Sequence, residues 1–213
     1  MASFAVYCLI GVINLVSAVL FKEGIRKLSK ICLMPALLAF YLIATPHILP
    51  WIIVALVLAW AGDILLIKKE KPAYFRLGLA AFLLSHVFYI VAFLTMAQKL
   101  HILALIVSLV VAIPLTLVIL KALDASAPMK IPVTAYAVAI ILMSICALQL
   151  MLAQPGLAGA IVFAASVVYI FSDALMAYLL FHKSPKYFNA ITMVPYIVAQ
   201  GGIILGLVMG HWN

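Results

Sequence analysis

The sequence predicts an all-α, polytopic membrane protein: a bundle of eight transmembrane helices with both termini on the non-cytoplasmic side. Three observations predict it. The chain is 69% hydrophobic and 8% charged, with a mean hydropathy of +1.36, whereas soluble domains sit near roughly half apolar and a quarter charged. Its apolar runs are long and lack period-2 alternation, so backbone polar groups must be satisfied within helices rather than around a barrel. Its cations recur on alternate loops. No polar stretch is large enough for a soluble domain, so residues 1–213 are expected to form a single integral membrane domain.

A spanning helix needs roughly 20 apolar residues. The first is expected over residues 3–21, ending at Lys22-Glu23-Gly24-Ile25-Arg26-Lys27. With no basic n-region and no small-residue cleavage site, it reads as a retained helix rather than a signal peptide. The second, 31–45, is short and ends at Thr45-Pro46-His47. The third, 50–67, opens with Pro50-Trp51, a first-turn proline beside an interfacial aromatic. The fourth and fifth cover 77–97 and 101–123. The sixth covers 130–153 and closes at Gln154-Pro155-Gly156; the seventh covers 157–182 and the eighth 189–210. Pro35, Pro114 and Pro195 fall inside spans, where they free backbone carbonyls and bend helices; packing kinks are the simplest reading.

Lys22, Arg26, Lys27 and Lys30 fall in the first loop, and Lys68, Lys69, Lys71 and Arg76 in the third. Lys121 and Lys130 fall in or beside the fifth, Lys183 and Lys186 in the seventh, and Lys99 alone on the opposite side. This is the positive-inside bias, which makes those loops cytoplasmic and the termini external. The net charge of +8 is therefore a topology signal first and an attraction for lipid phosphates second. Nucleic acid is not an expected partner. Cys8, Cys32 and Cys146 are isolated within apolar runs and read as small core hydrophobes, without a disulfide framework.

Of five acidic residues, Asp63 and Asp173 are embedded in apolar sequence, in Trp60-Ala61-Gly62-Asp63-Ile64-Leu65 and Tyr169-Ile170-Phe171-Ser172-Asp173-Ala174-Leu175. A carboxylate at mid-bilayer costs about 3 kcal/mol on insertion scales, so each marks a candidate functional site. Counted along the helices, Asp63 lies roughly 6–8 Å from the cytoplasmic end, Asp173 roughly 12 Å and His86 roughly 14 Å. Asn14, Tyr136 and Gln200 fall at roughly 8–17 Å from the same side. These residues predict a polar cavity opening toward the cytoplasm or inner leaflet. Tyr89 shares a helix face with His86, and Tyr169 with Asp173.

Taken singly, His86 reads as a core histidine, Tyr89 and Tyr136 as core aromatics, and Gln200 as interhelical glue. Two aspartates at compatible depths are harder to explain by packing. No metal is expected, because His47, His101 and His211 lie at the outer face, His182 at the inner face and His86 between, with no H-x-x-x-H pair. Ser172 and Ser85 lack a nucleophile elbow. A faint repeat, Asp63 then Tyr74-Phe75 against Asp173 then Tyr187-Phe188, has an offset of about 110 residues, as in transporters built from parallel halves.

Gly62-Asp63-x-x-Leu66 followed by Phe75-x-x-Gly78-Leu79-x-x-Phe82-x-x-x-His86-x-x-Tyr89 resembles the YhhN-like lysoplasmalogenase family of eight-helix membrane proteins. Tyr136-x-x-x-Ile140-x-x-Met143-x-x-x-Ala147, Ser172-Asp173-x-x-x-Ala177-x-x-x-Phe181 and Tyr196-x-x-Ala199-Gln200 extend the resemblance in order over 60–203. One departure is local: Ala165, Ser166 and Tyr169 stand where that family usually has Gly-Ala-x-x-Phe, which bears on pocket shape and the preferred lipid.

The resemblance implies hydrolysis of the vinyl ether bond of lysoplasmalogens, releasing a fatty aldehyde and glycerophosphoethanolamine or glycerophosphocholine. It implies Asp63 and Asp173 as essential carboxylates and no cofactor. Asn14, His86, Tyr89, Tyr136, Ser172, Tyr196 and Gln200 are the expected pocket residues. The chemistry suits a carboxyl pair, because protonating the outer alkene carbon leaves an oxocarbenium ion, and one carboxylic acid beside one carboxylate serves that pathway. The deeper Asp173 is the expected acid, and Asp63, nearer the basic loop, the ionised partner. A lysophospholipid entering from the inner leaflet would place its headgroup near Lys68, Lys71 or Arg76. The competing reading is a proton-coupled carrier of lipids or small molecules using the same aspartates; a bundle in which they merely pair is a third. Compact loops point to a bacterial inner membrane.

Overall fold

A computed structural model describes residues 2–123, 127–182, 185–210 and 212; Lys183 and His211 lie outside the described residues. Among these it holds eight helices and no strand: α1 Ala2–Val19, α2 Glu23–Ala44, α3 Pro50–Leu66, α4 Pro72–Ala97, α5 Ile102–Leu123, α6 Ala127–Ala153, α7 Leu157–Phe181 and α8 Phe188–Met209. Six of them are long and apolar enough to cross a membrane; Pro50–Leu66 and Ile102–Val118 are shorter apolar helices. The chain is an integral membrane protein.

Three helices begin earlier than their apolar runs. α2 starts at Glu23 instead of residue 31, α4 at Pro72 instead of 77, and α6 at Ala127 instead of 130. Apolarity marks where a helix enters hydrocarbon, but the backbone ladder continues into the polar margin, where long cationic side chains reach water. Glu23 closes the first turn of α2 by accepting from Arg26 Nη2 at 2.6 Å and Nε at 3.0 Å. Pro72 takes the first-turn position of α4, where no N–H is needed. Pro132, inside α6, joins the three intrahelical prolines expected.

α3, α4, α6, α7 and α8 pack into the centre, α1 and α2 close one side against α8 and α3, and α5 rides on the rim against α6 and α7. α5 buries little beyond Ala112 and leaves side chains such as Leu103 and Val110 exposed, as suits a lipid-facing helix. Backbones approach closely where a side chain is missing. A Cβ on Gly62 would meet the Phe82 ring at 2.6 Å, and one on Gly78 would meet Leu66 at 2.8 Å, so α3 and α4 are pressed together beside Asp63. α8 meets α7 in the same way at Gly206, where a Cβ would fall 2.9 Å from the Ala158 carbonyl oxygen and 2.7 Å from Val162. Backbone cannot swing aside as a side-chain tip can. Gly206→Ala is expected to cost about 1–3 kcal/mol by overpacking, read as a lowered melting temperature of the detergent-purified protein.

One kink has a partner. Pro35 has no N–H to offer the Ile31 carbonyl one turn earlier. The Trp60 indole Nε1 donates to that carbonyl at 2.8 Å, tying α3 to α2 three residues before Asp63. Tyr7 does similar work between α1 and α8. Its ring occupies the space left by Gly201, and its hydroxyl donates to the Ile197 carbonyl at 2.8 Å.

Candidate active site

Asp63 lies in the last turn of α3, and its carboxyl is 1% exposed. The Lys30 ammonium of α2 stands 3.2 Å from Oδ1, and the Tyr196 hydroxyl of α8 donates to Oδ2 at 2.7 Å. Asp173, in the middle of α7, is likewise buried and accepts from the Tyr136 hydroxyl of α6. The two carboxyls therefore have unlike partners, a cation for Asp63 and a neutral phenol for Asp173. They face the same cavity, of about 430 Å³.

The cavity wall includes Phe75, Phe82, Tyr136, Ser172, Met176 and Tyr196, and toward the loops Glu23, Arg26, Lys30, Lys69, Glu70 and Asn189. It therefore opens at the end of the bundle that carries the first and third loops. A second, apolar crevice of about 50 Å³ lies between α4, α6 and α7. Phe75, Tyr136, Asp173, Met176 and Leu180 line both spaces, so Asp173 stands on the seam between a polar chamber and an apolar one.

Five of the residues anticipated from sequence line the cavity: Asp63, Tyr136, Ser172, Asp173 and Tyr196. His86, Tyr89, Gln200 and Asn14 are fully buried and are not on its wall. His86 is wedged between the rings of Tyr136, at 5.2 Å, and Tyr169, at 4.9 Å. Among the described residues neither of its ring nitrogens has a partner in hydrogen-bonding geometry, the Phe82 carbonyl one turn earlier being the group beside it. The Tyr89 hydroxyl donates to Gln200 Oε1 at 2.9 Å, and Gln200 Nε2 donates to the Tyr169 hydroxyl at 2.8 Å. Tyr169, where the resemblance expects phenylalanine, thus supplies the hydroxyl that satisfies Gln200. His86 packs edge-on against Tyr136, and Tyr169, held by Gln200, packs against Tyr196 with ring centroids 5.9 Å apart, so these two rings brace the tyrosines that hold the carboxyls. Asn14 Nδ2 donates to the Arg26 carbonyl at 2.8 Å and to Ser29 Oγ at 2.9 Å, fixing the start of α2 against α1.

The cations differ from the expected set. Lys68, Lys71 and Arg76 are exposed and off the cavity wall, and Lys68 and Lys71 lie over the Tyr74 ring. Arg26, Lys30 and Lys69 line it instead. With α2 beginning at Glu23, Arg26 and Lys30 are one turn apart on the same face, while Lys27 points away and is exposed. The signal that would have found Lys30 is this i, i+4 pair read as helix rather than loop.

A family model described as the YhhN family matches residues 25–207. No curated protein and no solved structure matches the chain.

Proposed function

From the premise that the chain belongs to the YhhN family, we propose that it is a lysoplasmalogenase, an ether hydrolase that cleaves the vinyl ether of 1-alkenyl lysophospholipids. The observation that carries this reading is the pair of buried carboxyls on one cavity wall, one facing an ammonium and the other a phenol. General acid–base work needs two carboxyls kept in different states, and unlike partners support that difference.

In this reading the Lys30 ammonium compensates a carboxylate at Asp63, and Asp173 carries the transferable proton. Tyr136 donates to one oxygen of Asp173, which leaves the other to hold that proton and aim it. Asp173 passes the proton to the outer alkene carbon, giving an oxocarbenium ion at the carbon bonded to the ether oxygen. The Asp63 carboxylate stabilises that cation and takes a proton from the water that adds to it. The hemiacetal then breaks its bond to the glycerol oxygen, which takes the proton held at Asp63 and leaves as the alcohol, while the hemiacetal hydroxyl gives its proton back to Asp173 and the chain leaves as the aldehyde, so both carboxyls return to their starting states. The position of Asp173 on the seam suits a substrate whose reacting bond lies between a polar head and an alkenyl chain. The basic loops face the cytoplasm of a bacterial inner membrane, and the lipid enters from the inner leaflet.

The test is aldehyde release from synthetic 1-alkenyl lysophosphoethanolamine and lysophosphocholine by protein purified in detergent. Turnover without a sealed membrane is expected. Folded protein that releases no aldehyde from either headgroup overturns the hydrolase and leaves a carrier as the reading to pursue.

A further inference from the structure

Among the described residues, Arg26, Lys30 and Lys69 are the partly buried cations; the others are exposed. All three line the main cavity. Two are engaged within the protein, Arg26 by both oxygens of Glu23 and Lys30 by Asp63 at 3.2 Å. Among the described residues Lys69 has no carboxylate within 4 Å. Its ammonium sits instead on the face of the Phe188 ring, 3.7 Å from the centroid, which holds it at the cavity mouth. Burial lowers Lys69 to about 8, and the charges of Lys30 and Arg26 push the same way against Glu70. A cation pressed by two others in a half-buried site gains from any anion that enters. Glu70, next in the same turn and on the same wall, has no cation within 4 Å among the described residues. The mouth thus presents one cation and one carboxylate from adjacent residues, neither held in an ion pair within 4 Å among the described residues.

We propose that Lys69 and Glu70 form a zwitterion clamp for the headgroup of a lysophospholipid, Lys69 taking the phosphate and Glu70 the amine. The assignment rests on the lysolipid reading above for its ligand class. With the headgroup at the mouth and the first carbons of the chain entering the apolar crevice between α4, α6 and α7, the glycerol and its ether oxygen pass Asp63 and Asp173. Arg26 and Lys30 contribute field, and their own carboxylates leave Lys69 as the group free to bind.

The test uses ligands that cannot be hydrolysed, so that binding is read apart from catalysis: saturated 1-O-alkylglycerol, 1-O-alkyl lysophosphatidate and 1-O-alkyl lysophosphoethanolamine. Affinities are measured on the detergent-purified full chain by displacement of labelled alkyl lysophosphoethanolamine. Lys69→Gln is expected to weaken both phosphate-bearing ligands by about tenfold while alkylglycerol moves by less than about twofold, the size of one lost charge-assisted contact. Glu70→Gln is expected to weaken the ethanolamine ligand alone, by about threefold, its carboxylate being exposed. Lys69→Arg, which keeps the charge, is expected to retain phosphate binding and stands in if Lys69→Gln does not fold. A Lys69→Gln effect equal on all three ligands, or absent, overturns the clamp. So does inorganic phosphate displacing the labelled lipid as well as alkyl lysophosphatidate does, since that marks a free-anion site. Aldehyde release without this ligand pattern removes the clamp and keeps the hydrolase; the pattern without aldehyde release does the reverse.

Discussion

Asp173→Asn and Asp63→Asn are each expected to lower kcat for aldehyde release by about a thousandfold or more, the scale of a lost general acid or base. The two should differ in stability. Asparagine at 173 still accepts from the Tyr136 hydroxyl, so the fold loses no partner and the melting temperature should move by less than the equivalent of about 1 kcal/mol. Asparagine at 63 removes the charge opposite Lys30 and leaves a partly buried ammonium without its counterion, so this variant should melt lower as well as lose activity. The measurement is kcat beside a thermal melt for each purified variant. Full activity in Asp173→Asn would remove it from the chemistry, and equal melting temperatures would mean that the Lys30–Asp63 pair carries little energy.

Lys30→Met is expected to destabilise the protein by about 3–5 kcal/mol, because it strands a carboxylate that is 1% exposed in a low-dielectric site. The same change at the exposed Lys27, three residues earlier, should stay within about 0.5 kcal/mol. Adding Asp63→Asn to Lys30→Met removes both charges, and the double variant should recover most of the lost stability while remaining inactive. Recovery of stability without recovery of activity is the signature of an ion pair whose anion also works in catalysis. If the double variant is no more stable than Lys30→Met alone, the cost comes from packing of the lysine stem and the pair is incidental.

Much of this arrangement was legible beforehand because hydrocarbon is so selective a solvent. Every backbone polar group must be paired inside it, so long apolar runs become helices, and a carboxylate within such a run is expensive enough to demand a reason. That logic locates α1 to α8 to within a few residues at most ends and singles out Asp63 and Asp173. Depth counting adds Tyr136, and the family resemblance adds Ser172 and Tyr196; all three line the same cavity. The prolines were legible as freed carbonyls, and Ile31 shows the consequence in the bond it accepts from Trp60.

What a single chain written in order does not carry is which polar group faces which. Lys30 looked like a loop charge because a hydropathy reading stops a helix at its first cations, whereas the α2 ladder runs on from Glu23 and turns Lys30 inward. Lys69 differs from Lys68 and Lys71 in burial and in the Phe188 ring beneath it, a residue more than a hundred positions away. Depth along a helix follows from counting at a fixed rise, so the level of each side chain is a local property. Direction around the helix axis is settled by packing against other helices, through contacts such as Gly62 on Phe82 and Gly206 on Ala158. For that reason the aspartates and their depths belong to the sequence, while the unlike partners that distinguish Asp63 from Asp173 arise when α2, α6 and α8 close around them.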